Sequence, residues 1–178
     1  MPESERTYAW ADYADIAAAV EGLPPGEVMR RMAAGELPQP PIAATLGFAL
    51  VAVADGAAVF ACEPQPWHYN PIGSVHAGLA MTLLDSAMGC ALMATLDAPR
   101  PWTTLEVKAN FTRPLTAGMG EVRCTGRVVH PGRSVVTTEA RLEGPDGKLY
   151  AHGTSTILML DGSAGSAAAA GGRPAVAP

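Results

Sequence analysis

The sequence has no CxxC pair and no Cys/His spacing that would hold zinc, so no metal site is expected. Its three cysteines, Cys62, Cys90 and Cys124, lie far apart and are odd in number. They read as reduced thiols packed as small hydrophobes. Basic residues are in deficit: 12 Lys and Arg against 17 Asp and Glu, a formal net charge of −5. A nucleic-acid partner would need a basic face and is not expected. No run of like charges marks an interaction tail. The opening MPESERTYAWADY lacks the basic and apolar regions of a secretory signal. The longest apolar stretch, Leu79 to Leu96, is interrupted by Thr82, Asp85 and Ser86, and is too short and polar for a membrane span. The expectation is a cytoplasmic protein that engages neither membrane nor nucleic acid.

What is present suits one domain with a real core: 178 residues, 48% of them hydrophobic. Residues 1–40 read as an N-terminal arm with short helices at Ala14–Glu21 and Gly26–Ala34, interrupted by Pro24-Pro25 and ended by Gly35, Pro38, Pro40 and Pro41. The arm reads equally as a lid or as a packing strap. The main domain spans 41–161. Strand patterns begin near Leu46, and Asp55-Gly56 signals a hairpin between Phe48–Ala54 and Ala57–Cys62. A loop, EPQPWHYNPIGSV, leads into the one long helix, about His76 to Leu96. From Thr104 to Arg113 the pattern alternates, with Leu105, Val107, Ala109 and Phe111 expected on one face and Glu106, Lys108, Asn110 and Thr112 on the other. Turns at LTAG, HPGR and GPDG separate the strands that follow. Residues 162–178 are low in complexity and are expected to be disordered. The fold class that results is α+β: an antiparallel sheet of five or six strands curved around one helix.

Asp85 is the only charge in that helix between His76 and Asp97. A helix apolar all round is expected to be buried. An unpaired carboxylate there must be paired, protonated or beside a wet cleft. Positions three and four residues away hold Met81, Thr82, Met88 and Gly89, none of them basic. The pattern alone leaves two readings: a catalytic acid, or a structural one bonded to the backbone or to a Ser or Thr neighbour. Ala77 and Gly78 occupy the first turn, where N–H groups lack intrahelical partners and suit a developing oxyanion. Gly78 alone reads as well as a packing residue.

Eight residues separate Ala77 from Asp85, on the order of 12 Å along a helix rising about 1.5 Å per residue. A base and an oxyanion hole must lie within a few Å of the same carbonyl. If both act, they come from two chains, so an enzyme of this design needs at least a dimer.

The segment NPIGSVHAGLAMTLLDSAMGCAL, Asn70 to Leu92, resembles the active-site region of PaaI-like hotdog thioesterases. Asn70, Gly73, His76-Ala77-Gly78 and Asp85 match that family's Asn, Gly, His-Gly-Gly and downstream acid. Further matches are GELPQPPIAATLGF before it, and TTLEVKANFTRPLTAG, GRVVHPGRS and GKLYAHGTS after it, covering about 27–160. The resemblance implies a sheet wrapped around one long helix, subunits paired through their sheets into a homodimer at minimum and a homotetramer as the expected assembly, and acyl-CoA hydrolysis at the subunit interface. No cofactor is implied, since CoA belongs to the substrate. Asp85 would be base or nucleophile, the Ala77 N–H would polarise the carbonyl, Asn70 would orient water or carbonyl, and Thr104, or Thr103 beside it, would assist the water. His76, Gly78, Glu106 and the turn carrying His130, Gly132, Arg133 and Ser134 would contact substrate or CoA; a guanidinium such as that of Arg133 suits phosphate. Ala77 stands where the family has glycine, so a methyl narrows the pocket. Trp67, His68 and Tyr69 would either shape the acyl pocket or pack the loop. The alternatives are a hotdog dehydratase or hydratase, whose second motif is missing here, and a non-catalytic acyl-CoA-binding protein.

Overall fold

The computed structural model describes residues 4–54 and 56–160. The low-complexity tail of 162–178 lies outside them. Three short helices come first: α1 (Tyr13–Val20), α2 (Pro25–Ala33) and α3 (Pro41–Leu46). The third departs from expectation. The prolines at 40 and 41 begin a helix rather than only ending one, because Pro41 sits at a first-turn position that needs no N–H. Gly47, at φ 70°, closes it in the left-handed conformation. Of the arm, α2 is a strap built into the core: Val28, Met29 and Met32 are buried against the rest of the domain.

The remaining elements are β1 (Phe48–Ala54), β2 (Ala57–Cys62), α4 (Ala77–Ala94), β3 (Trp102–Phe111), β4 (Val122–His130), β5 (Val135–Glu143) and β6 (Leu149–Met159). They form one curved six-stranded sheet in the order β1-β2-β4-β5-β6-β3, antiparallel throughout. The LTAG segment therefore makes no hairpin. β3 pairs with β6 at the sheet's edge, while β4 pairs with β2 and β5 in its middle. The connection between them crosses the sheet's end and buries Leu115, whose carbonyl accepts the Val75 N–H at 3.0 Å.

The sheet wraps α4, and Leu83, Leu84, Ala87, Met88 and Ala91 are fully buried between them. Close approach requires Gly126 on β4, because a Cβ there would collide with the Ala87 carbonyl. α4 is long and apolar enough to cross a membrane, yet half of it is enclosed by its own sheet.

α4 is not buried all round. Ala77, Gly78 and Asp85 are exposed, and Thr82 is half-buried. These positions, three to four residues apart, form one stripe along the helix. The expected seclusion of Asp85 is absent within one chain because six strands enclose only the opposite face.

β3 also departs from clean alternation. Thr104 pairs with Ile157 and Glu106 with Thr156, leaving Leu105 as the extra residue of a bulge. Trp102 and Thr104 then face α4 together with Val107 and Ala109, while Leu105 is 55% exposed.

Candidate active site

The bulge brings Thr104, rather than Thr103, to the acid. The Thr104 hydroxyl donates to Oδ1 of Asp85 at 3.1 Å, leaving Oδ2 free of any side-chain partner among the described residues. Both residues lie in the groove between α4 and β3.

The second cluster sits at the start of α4. His76 is the N-cap, and its Nδ1 accepts the Gly78 N–H at 2.8 Å. The His76 carbonyl accepts the Leu79 N–H at 3.0 Å. Ala77 N–H keeps no partner among the described residues, so one donor at the positive end of the helix stays open. Asn70 shapes the preceding loop. Its Oδ1 accepts the N–H groups of Ile72 (3.0 Å) and Ser74 (3.1 Å), and its Nδ2 donates to Ser74 Oγ (3.0 Å). One amide hydrogen of Asn70 is left for a ligand. Asn70, His76 and Ala77 line a pocket of about 280 Å³ with Phe111, Thr112 and Arg113 at the far end of β3.

His68 anchors this loop from beneath. It is buried; its Nδ1 accepts the Gln65 N–H at 3.0 Å, so Nε2 carries the proton and donates to the Leu46 carbonyl at 2.9 Å. Burial holds its imidazole below the ordinary range, against the opposing pull of the Leu46 carbonyl. Trp67 lies under the Arg6 guanidinium at 4.8 Å, and the Tyr69 hydroxyl accepts the Ala117 N–H at 3.1 Å. All three residues pack the loop, and none of them lines the pocket.

The other expected contacts lie apart. Glu106 points to the outer face of the sheet, where Thr156 Oγ1 donates to its Oε1 at 3.0 Å. His130, Gly132, Arg133 and Ser134 form the β4–β5 turn. Val135 pairs with Leu158 and Trp102 with Met159, so this turn stands at the Trp102 end of the sheet, opposite Ala77. Gly132 is required there, since a Cβ would collide with the Val135 carbonyl. Arg133 is exposed and makes no ion pair among the described residues. No group of three His, Cys, Asp or Glu residues that could hold a metal occurs among the described residues.

The model of the Thioesterase superfamily matches residues 72–151. A phenylacetic acid degradation-related protein from Ralstonia eutropha is 33% identical, covers 73% of this chain and 97% of its own, and superposes with a TM-score of 0.64. The chain is a PaaI-like hotdog thioesterase. A mutant of the phenylacetic acid degradation protein PaaI from Thermus thermophilus is 30% identical over 68% of this chain and all (100%) of its own, at a TM-score of 0.62. Human acyl-coenzyme A thioesterase 13 is 29% identical over 60% of this chain and 76% of its own length.

As a thioester hydrolase, this thioesterase needs an attacking group, and its thiols are poor candidates. Burial, seconded by the Asp85 charge, pushes the Cys90 thiol up to about 12; burial pushes Cys62 up to about 11 and Cys124 higher still. All three stay protonated at neutral pH. Sequence reasoning missed Phe111 and Arg113 as pocket walls. The signal available was Pro114, which stops β3 beside the helix start.

Proposed function

We propose that the thioesterase hydrolyses an acyl-CoA at a site shared by two subunits, with Asp85 of one acting as general base on a water. The carbonyl oxygen rests against the Ala77 N–H of the other. The observation that carries this reading is the separation of Asp85–Thr104 from Ala77 by two turns of one helix, with a free strand edge beside them. β3 ends the sheet order and has no outer neighbour among the described residues. Leu105 and Phe111 expose 55% and 48% of their surface on it. Such an edge invites pairing. Antiparallel pairing about a two-fold axis sets the Phe111 end of one β3 beside the Trp102 end of its partner. The open N–H at Ala77 of one subunit then comes alongside the Asp85–Thr104 pair of the other.

In the reaction, Thr104 holds Oδ1 of Asp85 and leaves Oδ2 to take a proton from water. The hydroxide oxygen bonds to the thioester carbon, and the oxyanion is stabilised by the Ala77 N–H, with Asn70 Nδ2 close by. Collapse breaks the C–S bond, and the thiolate leaves with the proton from Asp85. Arg133 suits the phosphates of the CoA nucleotide. The name of the human relative, an acyl-coenzyme A thioesterase, supports this substrate class.

The test is release of free thiol from benzoyl-, phenylacetyl- and straight-chain acyl-CoA esters. Asp85→Ala is expected to abolish most of it, by about 1,000-fold or more, with folding intact. Undiminished turnover in that variant, or a strictly monomeric active protein, would overturn the reading.

A further inference from the structure

A second cavity, of about 480 Å³, lies between the N-terminal arm and the end of α4. Its size is that of a small-molecule site, which spans about 300–1,000 Å³. Its walls are mostly apolar, with Val20 and Leu23 from the arm, Met93 and Leu96 from the end of α4, and Trp102; Arg100 is the one charged residue among them. Met93, half-buried, lies eight residues beyond Asp85, on the order of 12 Å along the same side of the helix. The cavity and the Asp85–Thr104 pair thus lie on the same side of α4, and Trp102, which lines the cavity, stands on β3 between them.

A single side chain, Trp102, separates the two. Trp102 stands two residues before Thr104 and faces α4 from the same side of β3. The outer edge of its six-membered ring meets the helix at Gly89, one turn past Asp85. A Cβ on Gly89 would lie 2.7 Å from Trp102 Cη2 and 3.3 Å from Cζ3. The missing side chain at Gly89 is what lets the indole span from strand to helix. Trp102 also packs against the buried cluster of Leu92, Val136, Ile157 and Met159.

We propose that Trp102 is the residue that limits acyl length in this thioesterase. It ends the acyl site one helical turn beyond the reacting carboxylate and closes off the apolar cavity behind it. The site accordingly favours compact acyl groups, aromatic or short aliphatic, over long chains. This rests on the acyl-CoA reading above and names the substrate class within it.

The test compares kcat/KM for benzoyl-, phenylacetyl- and hexanoyl-CoA with that for dodecanoyl- and hexadecanoyl-CoA. The wild-type enzyme is expected to favour the compact group. Trp102→Ala opens the cavity and is expected to raise the long-to-compact ratio by roughly tenfold or more, since each methylene accommodated in an apolar pocket is worth about that factor. Adding Met93→Trp refills the cavity from the other side and is expected to reverse the gain, an effect that general loosening of the fold would not produce. Trp102→Phe, which keeps an aromatic on β3 but reaches less far, is expected to fall between. A wild-type preference for long chains, or an unchanged ratio in a folded Trp102→Ala or Trp102→Phe variant, would overturn the assignment of Trp102. If the wild-type enzyme released no thiol from any ester of the panel, the acyl-CoA reading would fall, and this inference with it.

Discussion

The Thr104 hydroxyl donates to Oδ1 of Asp85 across 3.1 Å, from an edge strand to the exposed stripe of the central helix. The bond occupies one carboxylate oxygen and aims the other. In the proposed mechanism Thr104 therefore positions the base rather than reacting itself. Thr104→Val, which keeps the shape and removes the donor, is expected to lower kcat on the order of 100-fold, the scale of a misplaced catalytic group. KM should change little, and Thr104→Ser should recover most of the loss. A Thr104→Val enzyme with wild-type kcat, or one altered only in KM, would remove Thr104 from the site.

Ala77 offers an unusually clean test of a backbone donor. It occupies the first position of α4, where proline is favoured and the N–H has no role in the helix. His76 already has the extended conformation that a following proline demands, at φ −61° and ψ 133°. Ala77→Pro should fold normally and lose about 100-fold or more in kcat, the cost of one oxyanion donor. Mixing it with Asp85→Ala subunits should then restore activity, because a heterodimer keeps one site with both groups intact. Failure of the mixture, once subunit exchange is demonstrated, would place both groups in one chain.

Much of this arrangement is legible in the sequence, and the parts that are not have a common cause. The hairpin around Gly56 and the helix from Ala77 are written in local chemistry, namely turn residues, periodicity and caps. So is the mismatch between Asp85 and its apolar neighbours. The bulge at Leu105 is a matter of which strand lies alongside, and β6 comes more than 40 residues later. The same holds for the crossing from β3 to β4, which looks like a hairpin until β4 is claimed by β2. Asp85 read as buried because nearly every neighbour in sequence is apolar. Its exposure follows from the geometry of a sheet that encloses only one side of the helix.

His68 links folding of the loop that precedes α4 to pH. Burial keeps its folded value below the ordinary 6.5. The unfolded chain therefore takes up the proton first as pH falls, and stability is lost below the unfolded value. The thermal midpoint is expected to be level above about pH 7 and to decline from about pH 6.5 toward 5. His68→Gln should flatten that decline relative to wild type while lowering the plateau. An identical slope in the variant would exclude His68 as its source.

Gly126 marks the closest approach of helix and sheet. Gly126→Ala places a methyl against the Ala87 carbonyl, and neither backbone can move without disturbing the core. The substitution is expected to cost roughly 3 kcal/mol, read from urea denaturation. A change within experimental error would mean that α4 rides more loosely on β4 than its packing indicates.

The extra residue at Leu105 has one more effect. A regular strand ties every second side chain together, so altering one face alters a whole row at once. Here the strand carries two rows out of step. Trp102 and Thr104, ahead of the bulge, and Val107 and Ala109, behind it, all face α4, although an odd step in sequence separates the two pairs. Without the extra residue Thr104 and Val107 would fall on opposite faces, and the strand could not offer a hydroxyl to Asp85 and a valine to the core at once. One irregularity in an edge strand thus lets a single side of the sheet carry both the polar contact to Asp85 and the packing behind it.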